Sequence, residues 1–482
     1  MDFARIHEAC AVVFTTAFRQ RPGPIVTAAS APKTSTDQPV APPQFSAGYL
    51  RWLLILLALI YTSNFVDRLI FSALAQPIKR DLNLTDTQLG LLGGLTFAVF
   101  YTIMGVPVAR LVERKSRITI ITVCIGAWSV MTALCGAAQT FVQLALARVG
   151  VGVGEAGCLP AAHSLISDHF PPSKRATALA IFSMGIPLGS LIGAVAGGWV
   201  AQHMNWRLAF VIVGLPGLLL AILTPLTLRE PPRGHVEGVD AGGTAAPPLL
   251  AVLKRLWRRR SAVWVCAGAT TASIGAYGIL TFAAAFFTRR HGLDYAQAGL
   301  AVGLMSGVGS GVSILGGGLL ADWAAKRDLR GYAWVSIVGL VVAMPLYILG
   351  FLDQDWATAL PLLVVAAVAQ QLFLSPTFAI AQNVVEPRMR ATSIALMAVS
   401  WNLIGQGLGP VMVGFVSDTM ATAMTANPSV DVLHLCRQAA CADASASGLQ
   451  YALVAMPVVY AVAAVFFFMS ARRMREDLAP GR

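Results

Sequence analysis

The sequence predicts an all-α membrane protein, with twelve transmembrane helices in two pseudo-symmetric six-helix bundles. Three observations carry this. The chain of 482 residues is 56% hydrophobic and only 12% charged, about half the charged share of a soluble domain. Its apolar residues fall in long runs instead of alternating with polar ones, each run able to cross a ~30 Å hydrocarbon core. Two loop motifs also recur at nearly one offset, which marks a duplicated unit.

Residues 1–47 stand apart. The stretch 9–18 is apolar, but Arg19 and Arg21 close it without a signal-peptide cleavage site. Residues 21–44 are rich in Pro, Ser, Thr and Ala, a composition that reads as disordered; a start further along the chain is the alternative reading. Runs of about 20 residues or more then follow at 50–76, 87–109, 118–139, 142–167, 176–202 and 207–228. They fill a first bundle over 48–228. A second set at 262–288, 297–321, 331–352, 357–383, 392–417 and 449–472 fills a second bundle over 262–472, leaving 473–482 as a tail. The segment 229–261 between them is polar, contains Pro-Pro and Gly-Gly pairs and ends in the basic run 254–260. It reads as a linker closing in an amphipathic interfacial helix. The stretch 418–448 reads as a long outer loop.

The duplication shows in the loops. Glu113 and Asp322 close similar loops after spans two and eight, 209 residues apart; Arg175 and Arg390 open spans five and eleven in similar Arg-Ala-Thr contexts, 215 apart. Parallel repeats of this kind place a substrate site near the midplane, between the halves. Glycines at 185, 189, 193 and 197 on span five, and at 299, 303, 307 and 311 on span eight, let backbones approach closely. They mark these two helices as the pair on which the halves meet and rock.

The net charge of +12 suggests nucleic acid until the charges are placed. With both termini inside, 27 of the 35 Lys and Arg fall on the inner side, the bias expected of membrane topology. Nucleic-acid binding loses its support. Seven cysteines show no metal-ligand spacing; Cys436 and Cys441 lie in the outer loop, which leaves a disulfide between them open. Gly152, Gly154 and Gly157 match a dinucleotide fingerprint, but no strand precedes them. His163, Asp168 and His169 do not form a metal site, because the last two sit at the end of the span before a Pro-Pro pair.

Ionisable residues inside spans are costly and mark function. Span one holds Asn64, Asp67 and Arg68, which share one face at i, i+3 and i+4. Span four holds Arg148, Glu155 and His163, the first two separated by two turns. A carboxylate held between burial, which favours the neutral form, and a guanidinium, which favours the charged form, can exchange a proton. The plainer alternative is a fixed ion pair, Asp67 with Arg148 or Glu155 with Arg68, stapling two helices. The arginines also suit an anionic head group, and Asn64, Trp401, Asn402 and Gln406 supply hydrogen bonds if they face the same cavity, with Tyr61 and His163 as further cavity candidates.

Over residues 48–472 the chain resembles the major facilitator superfamily, and within it the Spinster-like branch. The loop 109–117 is similar to the family's cytoplasmic gating motif, with Ala109 in place of the usual Gly and Glu113 in place of the usual Asp. The branch-level likeness rests on Asn64, Asp67 and Arg68; on Arg148, Gly152, Gly154 and Glu155; on Asp168, Pro171, Pro172 and Arg175; and on Gly185, Pro187, Gly189, Asn205, Trp206, Arg207 and Phe210. The resemblance implies lipid-like cargo such as lysophospholipids or sphingoid phosphates, and proton linkage through Asp67 and Glu155 with Arg68 and Arg148 as partners. It also implies a cytoplasmic gate at Glu113, Arg114, Arg117, Arg175 and Asp322.

The expectation is therefore a proton-coupled transporter of amphipathic anions working by alternating access. It is a monomer in a bacterial inner membrane, neither an enzyme nor a metalloprotein, using no cofactor beyond the proton gradient. Its partners are membrane lipids and a lipid-like substrate. A multidrug-type proton antiporter is the runner-up. A passive scramblase or a sensing receptor on the same scaffold is the reading of another class.

Overall fold

The structure, a computed structural model, describes residues 45–232, 249–385, 389–424 and 439–478. Twelve helices among them are long and apolar enough to cross a membrane. Spans one to six are Ala47–Leu82, Asp86–Arg114, Arg117–Ala137, Phe141–His169, Thr177–His203 and Trp206–Thr227. Spans seven to twelve are Arg260–Arg290, Tyr295–Ala325, Gly331–Leu352, Trp356–Ala381, Thr392–Met424 and Ala442–Asp477. Span one begins, and span twelve ends, on what is called here the near face; the opposite end of the bundle is the far face.

The repeat seen in the loops extends to backbone detail. Span two opens with a capping box in which Thr85 and Gln88 satisfy each other's amides, and span eight opens with the same device on Asp294 and Gln297. Both spans then contain one π-helical turn, Leu91–Leu95 in the first and Leu304–Val308 in the second. A third such turn, Trp401–Gln406, interrupts span eleven. An inserted residue of this kind loosens the helical ladder locally and is frequent at functional sites.

Within the halves, span one packs on five, three on six, seven on twelve and nine on ten. The glycine series of span five faces span one: a side chain at Gly189 or Gly193 would collide with the Thr62 or Val66 carbonyl. Spans five and eight do meet, as expected, but the glycine series of span five points to span one instead. Span eight does use its own series against span five, at Gly299, Gly303 and Gly307, but the surface it meets is Pro187, Leu191, Ala194 and Gly198. Small residues occupy both sides of span five, and only packing decides which side crosses between halves.

The stretch 418–448 is also not simply a loop. Span eleven stays helical to Met424, and helix resumes at Ala439. Gly448 packs against Ser417 and Ala421 so tightly that no side chain fits. Cys436 and the side chain of Cys441 lie outside the described residues.

The linker is tied down at both described ends. Its start is gripped by Arg117, a fully buried guanidinium. Arg117 donates to Glu230 Oε1 at 2.6 Å, to the Pro231 carbonyl at 2.7 Å, to Ser164 Oγ at 3.1 Å and to Asp168. Glu230 also accepts from Ser116 Oγ and the Ile118 amide at 2.9 and 3.0 Å, while the Arg229 amide donates to Tyr49 Oη at 2.8 Å. At the other end, the helix Leu249–Arg258 buries Val252 and Leu256 and touches spans seven and eleven.

Partial burial pushes the Glu230 carboxyl up, but the Ile118 amide, Arg117 and Ser116 outweigh it and hold it below the usual carboxylate range. A depressed carboxyl contributes stability above its unfolded value and loses it as pH falls. Glu230→Gln should therefore cost about 1–3 kcal/mol at neutral pH. The gap from wild type, read by thermal melting in detergent, should close as pH drops below about 4.

Candidate functional site

Asn64, Asp67, Arg148 and Glu155 are all at most 2% exposed. The helices reach this proximity because Gly152 presses on the Phe97 carbonyl of span two and Gly154 on the Trp128 backbone of span three, leaving no room for side chains. Arg68 Nε donates to Glu155 Oε2 at 2.7 Å, so span one is joined to span four by one contact ion pair. The other expected pairing, Asp67 with Arg148, makes no contact ion pair. Arg148 instead donates from Nε to the Leu92 carbonyl at 3.4 Å, in the π turn of span two.

Aromatic faces complete the surroundings of both guanidiniums. Arg68 lies 4.9 Å from the ring centroids of Phe97 and Tyr101 and 5.2 Å from that of Phe65. Arg148 lies 5.1 Å from Phe71 and 5.4 Å from Phe97. Phe97 thus serves both cations, a contribution of about 0.5–2 kcal/mol for each such contact when desolvated. These aromatics carried no sequence signal, since Phe and Tyr in an apolar span read as packing.

Several buried polar atoms have no hydrogen-bond partner among the described residues. They include Asn64 Nδ2, Asp67 Oδ1, Ser129 Oγ, Thr132 Oγ1 and Glu155 Oε1. Leaving such groups unpaired costs free energy, which marks these atoms as candidate partners for polar ligand atoms. A proton can be added at Asp67 without breaking an ion pair; at Glu155 it competes with Arg68.

The remaining cavity candidates separate into two groups. Tyr61 stacks on Phe182 at 4.3 Å, and exposed His163 sets its ring edge against the same Phe182 at 5.7 Å. Trp401, Asn402 and Gln406 share the π turn of span eleven. Trp401 packs edge-on against Phe378 at 5.5 Å, and Gln406 Oε1 is buried without a partner among the described residues. The π turns of spans two and eleven meet directly: a side chain at Gly94 would lie 2.6 Å from the Gln406 carbonyl oxygen.

The two faces differ. On the far face Asp86 accepts Lys79 Nζ, both terminal nitrogens of Arg289 and Ser417 Oγ, each at 2.7 Å. Arg289 Nε also donates to Gln76 Oε1 at 2.7 Å. Asp418 then caps span two, accepting the Asp86 and Thr87 amides at 3.0 and 2.8 Å and Thr87 Oγ1 at 2.6 Å. This network joins spans one and two to seven and eleven. The sequence reading missed it because Asp86 looks like an ordinary acidic helix start, and its partner lies 203 positions away. Lys79 and Arg289, basic residues on the side where few occur, were the available signal.

The gate candidates lie on the near face. Glu113, Arg114 and Asp322 are exposed, and Asp322 accepts from Tyr332 of its own half at 3.5 Å. Arg175 donates to the Ser167 carbonyl at 2.8 Å. Arg117 is not at a seam between halves but in the linker anchorage described above. Open space lies beside Gly105 of span two and Gly316 and Gly318 of span eight. The hydrogen-bonded network between the halves described above lies on the far face.

Two six-helix halves joined at one face, with charges buried between helices, define a membrane transporter. The chain belongs to the Major Facilitator Superfamily, whose sequence profile matches residues 53–410. It is 37% identical over 368 residues to the MFS-type efflux pump of Mycolicibacterium smegmatis, covering 76% of this chain and 83% of that one. It is 26% identical to the Sphingosine-1-phosphate transporter SPNS2 of Mus musculus, over 86% and 76% of the two chains. Among solved structures, a bacterial homolog to human lysosomal transporter Spinster, inward-facing and unoccupied, superposes with a TM-score of 0.82 at 33% identity. That alignment covers 91% of this chain and all of that one. The Spinster resemblance read from the motifs is thereby borne out.

Proposed function

We propose that this protein couples proton movement to transport of an amphipathic, anionic, lipid-like substrate across a bacterial plasma membrane by alternating access. The Lys and Arg bias favours a cytoplasmic near face, and a network closing the far face then fits an inward-open state. The observation that carries the reading is Asp67: buried, lacking a contact cation and with one oxygen unpartnered, beside the Arg68–Glu155 pair. Protonation there changes the charge balance of spans one and four without breaking a bond. Arg148, whose hydrogen bond is a 3.4 Å contact to a neutral carbonyl and which otherwise lies against the Phe71 and Phe97 rings, is the group available to an anionic head group. The similarity to the SPNS2 and Spinster proteins supports lipid-like cargo.

A second reading, a multidrug-type proton antiporter, is favoured by the similarity to the mycobacterial efflux pump. Proteoliposomes with an internal pH-sensitive dye separate the two. Lysophospholipid should dissipate an imposed pH gradient in a protein-dependent way. A response to cationic drugs alone would select the antiporter. Cargo movement indifferent to the gradient would replace coupling with passive scrambling.

A further inference from the structure

Away from the central charges, basic and aromatic side chains gather on the near face of the second half. There, Trp257 at the end of the linker helix, Arg260, Val263 and Trp264 of span seven, and Met469, Arg472 and Arg473 of span twelve line a groove of about 680 Å³. None of these residues belongs to the central cluster. The groove combines three guanidiniums, two indoles and an apolar wall.

The charges are available. Arg473 forms an exposed pair with Glu476 at 3.3 Å, and Asp477 is engaged by Arg259 at 3.6 Å and by the Ser261 amide at 2.8 Å. Arg260 and Arg472 contact no carboxylate among the described residues; Arg472 lies over the Phe468 ring at 5.8 Å. A planar guanidinium matches a phosphodiester through two parallel hydrogen bonds.

The depth fits a bilayer interface. Trp264 stacks on Phe466 at 5.7 Å, and Trp334 meets Phe468 edge-on at 6.1 Å, an aromatic level of the sort that sits among head groups. The linker helix shows one stripe, Leu250, Leu253 and Trp257, outward beside Lys254 and Arg258, while Val252 and Leu256 are buried. Leu250 and Trp257 are each 74% exposed. Such a helix lies in the interface with its apolar stripe in lipid.

We infer that this groove binds an anionic phospholipid of the surrounding leaflet, its phosphate between Arg260 and Arg472 and its upper chains along Val263, Trp264 and Met469. The occupant is a membrane lipid and not free phosphate, because the apolar wall continues into outward-facing Val465 and Phe468. The site holds the end of the linker helix to spans seven and twelve. It is independent of which cargo the central cluster carries.

Native mass spectrometry of the full chain in detergent tests this, with phosphatidylglycerol and phosphatidylcholine of identical chains added in turn. Wild type should retain phosphatidylglycerol at about tenfold lower added lipid than phosphatidylcholine, equivalent to about 1.4 kcal/mol. The Arg260→Gln/Arg472→Gln variant should lose that preference, and Arg148→Gln should keep it. Val263→Trp, which fills the apolar wall and leaves every charge in place, should also lose it and serves if the arginine variant does not stay monodisperse. An unchanged preference in the folded groove variants would overturn the assignment. So would its loss in Arg148→Gln, or displacement of the lipid by millimolar inorganic phosphate alone.

Discussion

Asp67→Asn should remove the response of transport to an imposed pH gradient, lowering proton-driven uptake by roughly 100-fold, the equivalent of about 2.7 kcal/mol. Substrate binding and stability should stay close to wild type. Asn has the shape of the protonated acid and freezes the site in its neutral form. Asp67 has no contact ion pair to lose, so the substitution leaves no stranded cation in bonding contact. Glu155→Gln should behave differently. It removes the carboxylate bonded to Arg68 at 2.7 Å and leaves a guanidinium among three rings, at a cost of about 3–5 kcal/mol. Dye-loaded proteoliposomes and melting curves measured side by side read both quantities. Intact gradient stimulation in Asp67→Asn, or equal melting losses in the two variants, would refute the assignment of the proton site.

Breaking the far-face network should move the conformational equilibrium by a comparable amount. Asp86 neutralises Lys79 and Arg289 together, and Asp86 and Arg289 side chains are 2% and 5% exposed. Asp86→Asn strands both cations in a seam that exists only while the far face is closed. The closed arrangement then loses about 3–5 kcal/mol, while an arrangement that admits water to the seam loses much less. A shift of that size changes a two-state ratio by about two to four powers of ten. Spin labels at Met204 and Gln354, exposed on the far ends of the two halves, should give one short separation in the parent protein. A second, longer population should appear in Asp86→Asn. An unaltered distance distribution would mean that the network does not hold the halves together.

What the sequence made legible follows from how local each signal is. A span needs only its own apolar residues to be recognised, and the twelve runs fall where the twelve helices lie. The buried charges were legible for the same reason, since Asp67, Arg68, Arg148 and Glu155 stand out against apolar neighbours. Which of the two expected pairings forms was not. It depends on the relative rotation of spans one and four, which Gly152 and Gly154 set through contacts with spans two and three. Arg117 read as part of a gate because its motif ends in a basic loop; its partner Glu230 lies 113 positions away in a linker with no motif of its own. Trp401, Asn402 and Gln406 read as points on a regular helix, and hydropathy cannot register an inserted residue.

The π turn of span two has one more consequence. Its Leu91 and Leu92 carbonyls accept Thr96 Oγ1 at 3.0 and 3.1 Å, and Leu92 is also the acceptor of Arg148. On its other side the turn abuts the π turn of span eleven at Gly94. One five-residue turn therefore carries both the carbonyl oxygen that accepts Arg148 and a backbone contact with the other half. When Asp67 is ionised its attraction for Arg148 competes with that oxygen, and when Asp67 is neutral the oxygen keeps the guanidinium. On the proposed coupling, the charge on Asp67 would reach the shape of this helix through that bond, as by a clutch. Isotope-edited infrared spectra of a carbonyl label at Leu92 should shift with pH in the parent protein and stay fixed in Asp67→Asn.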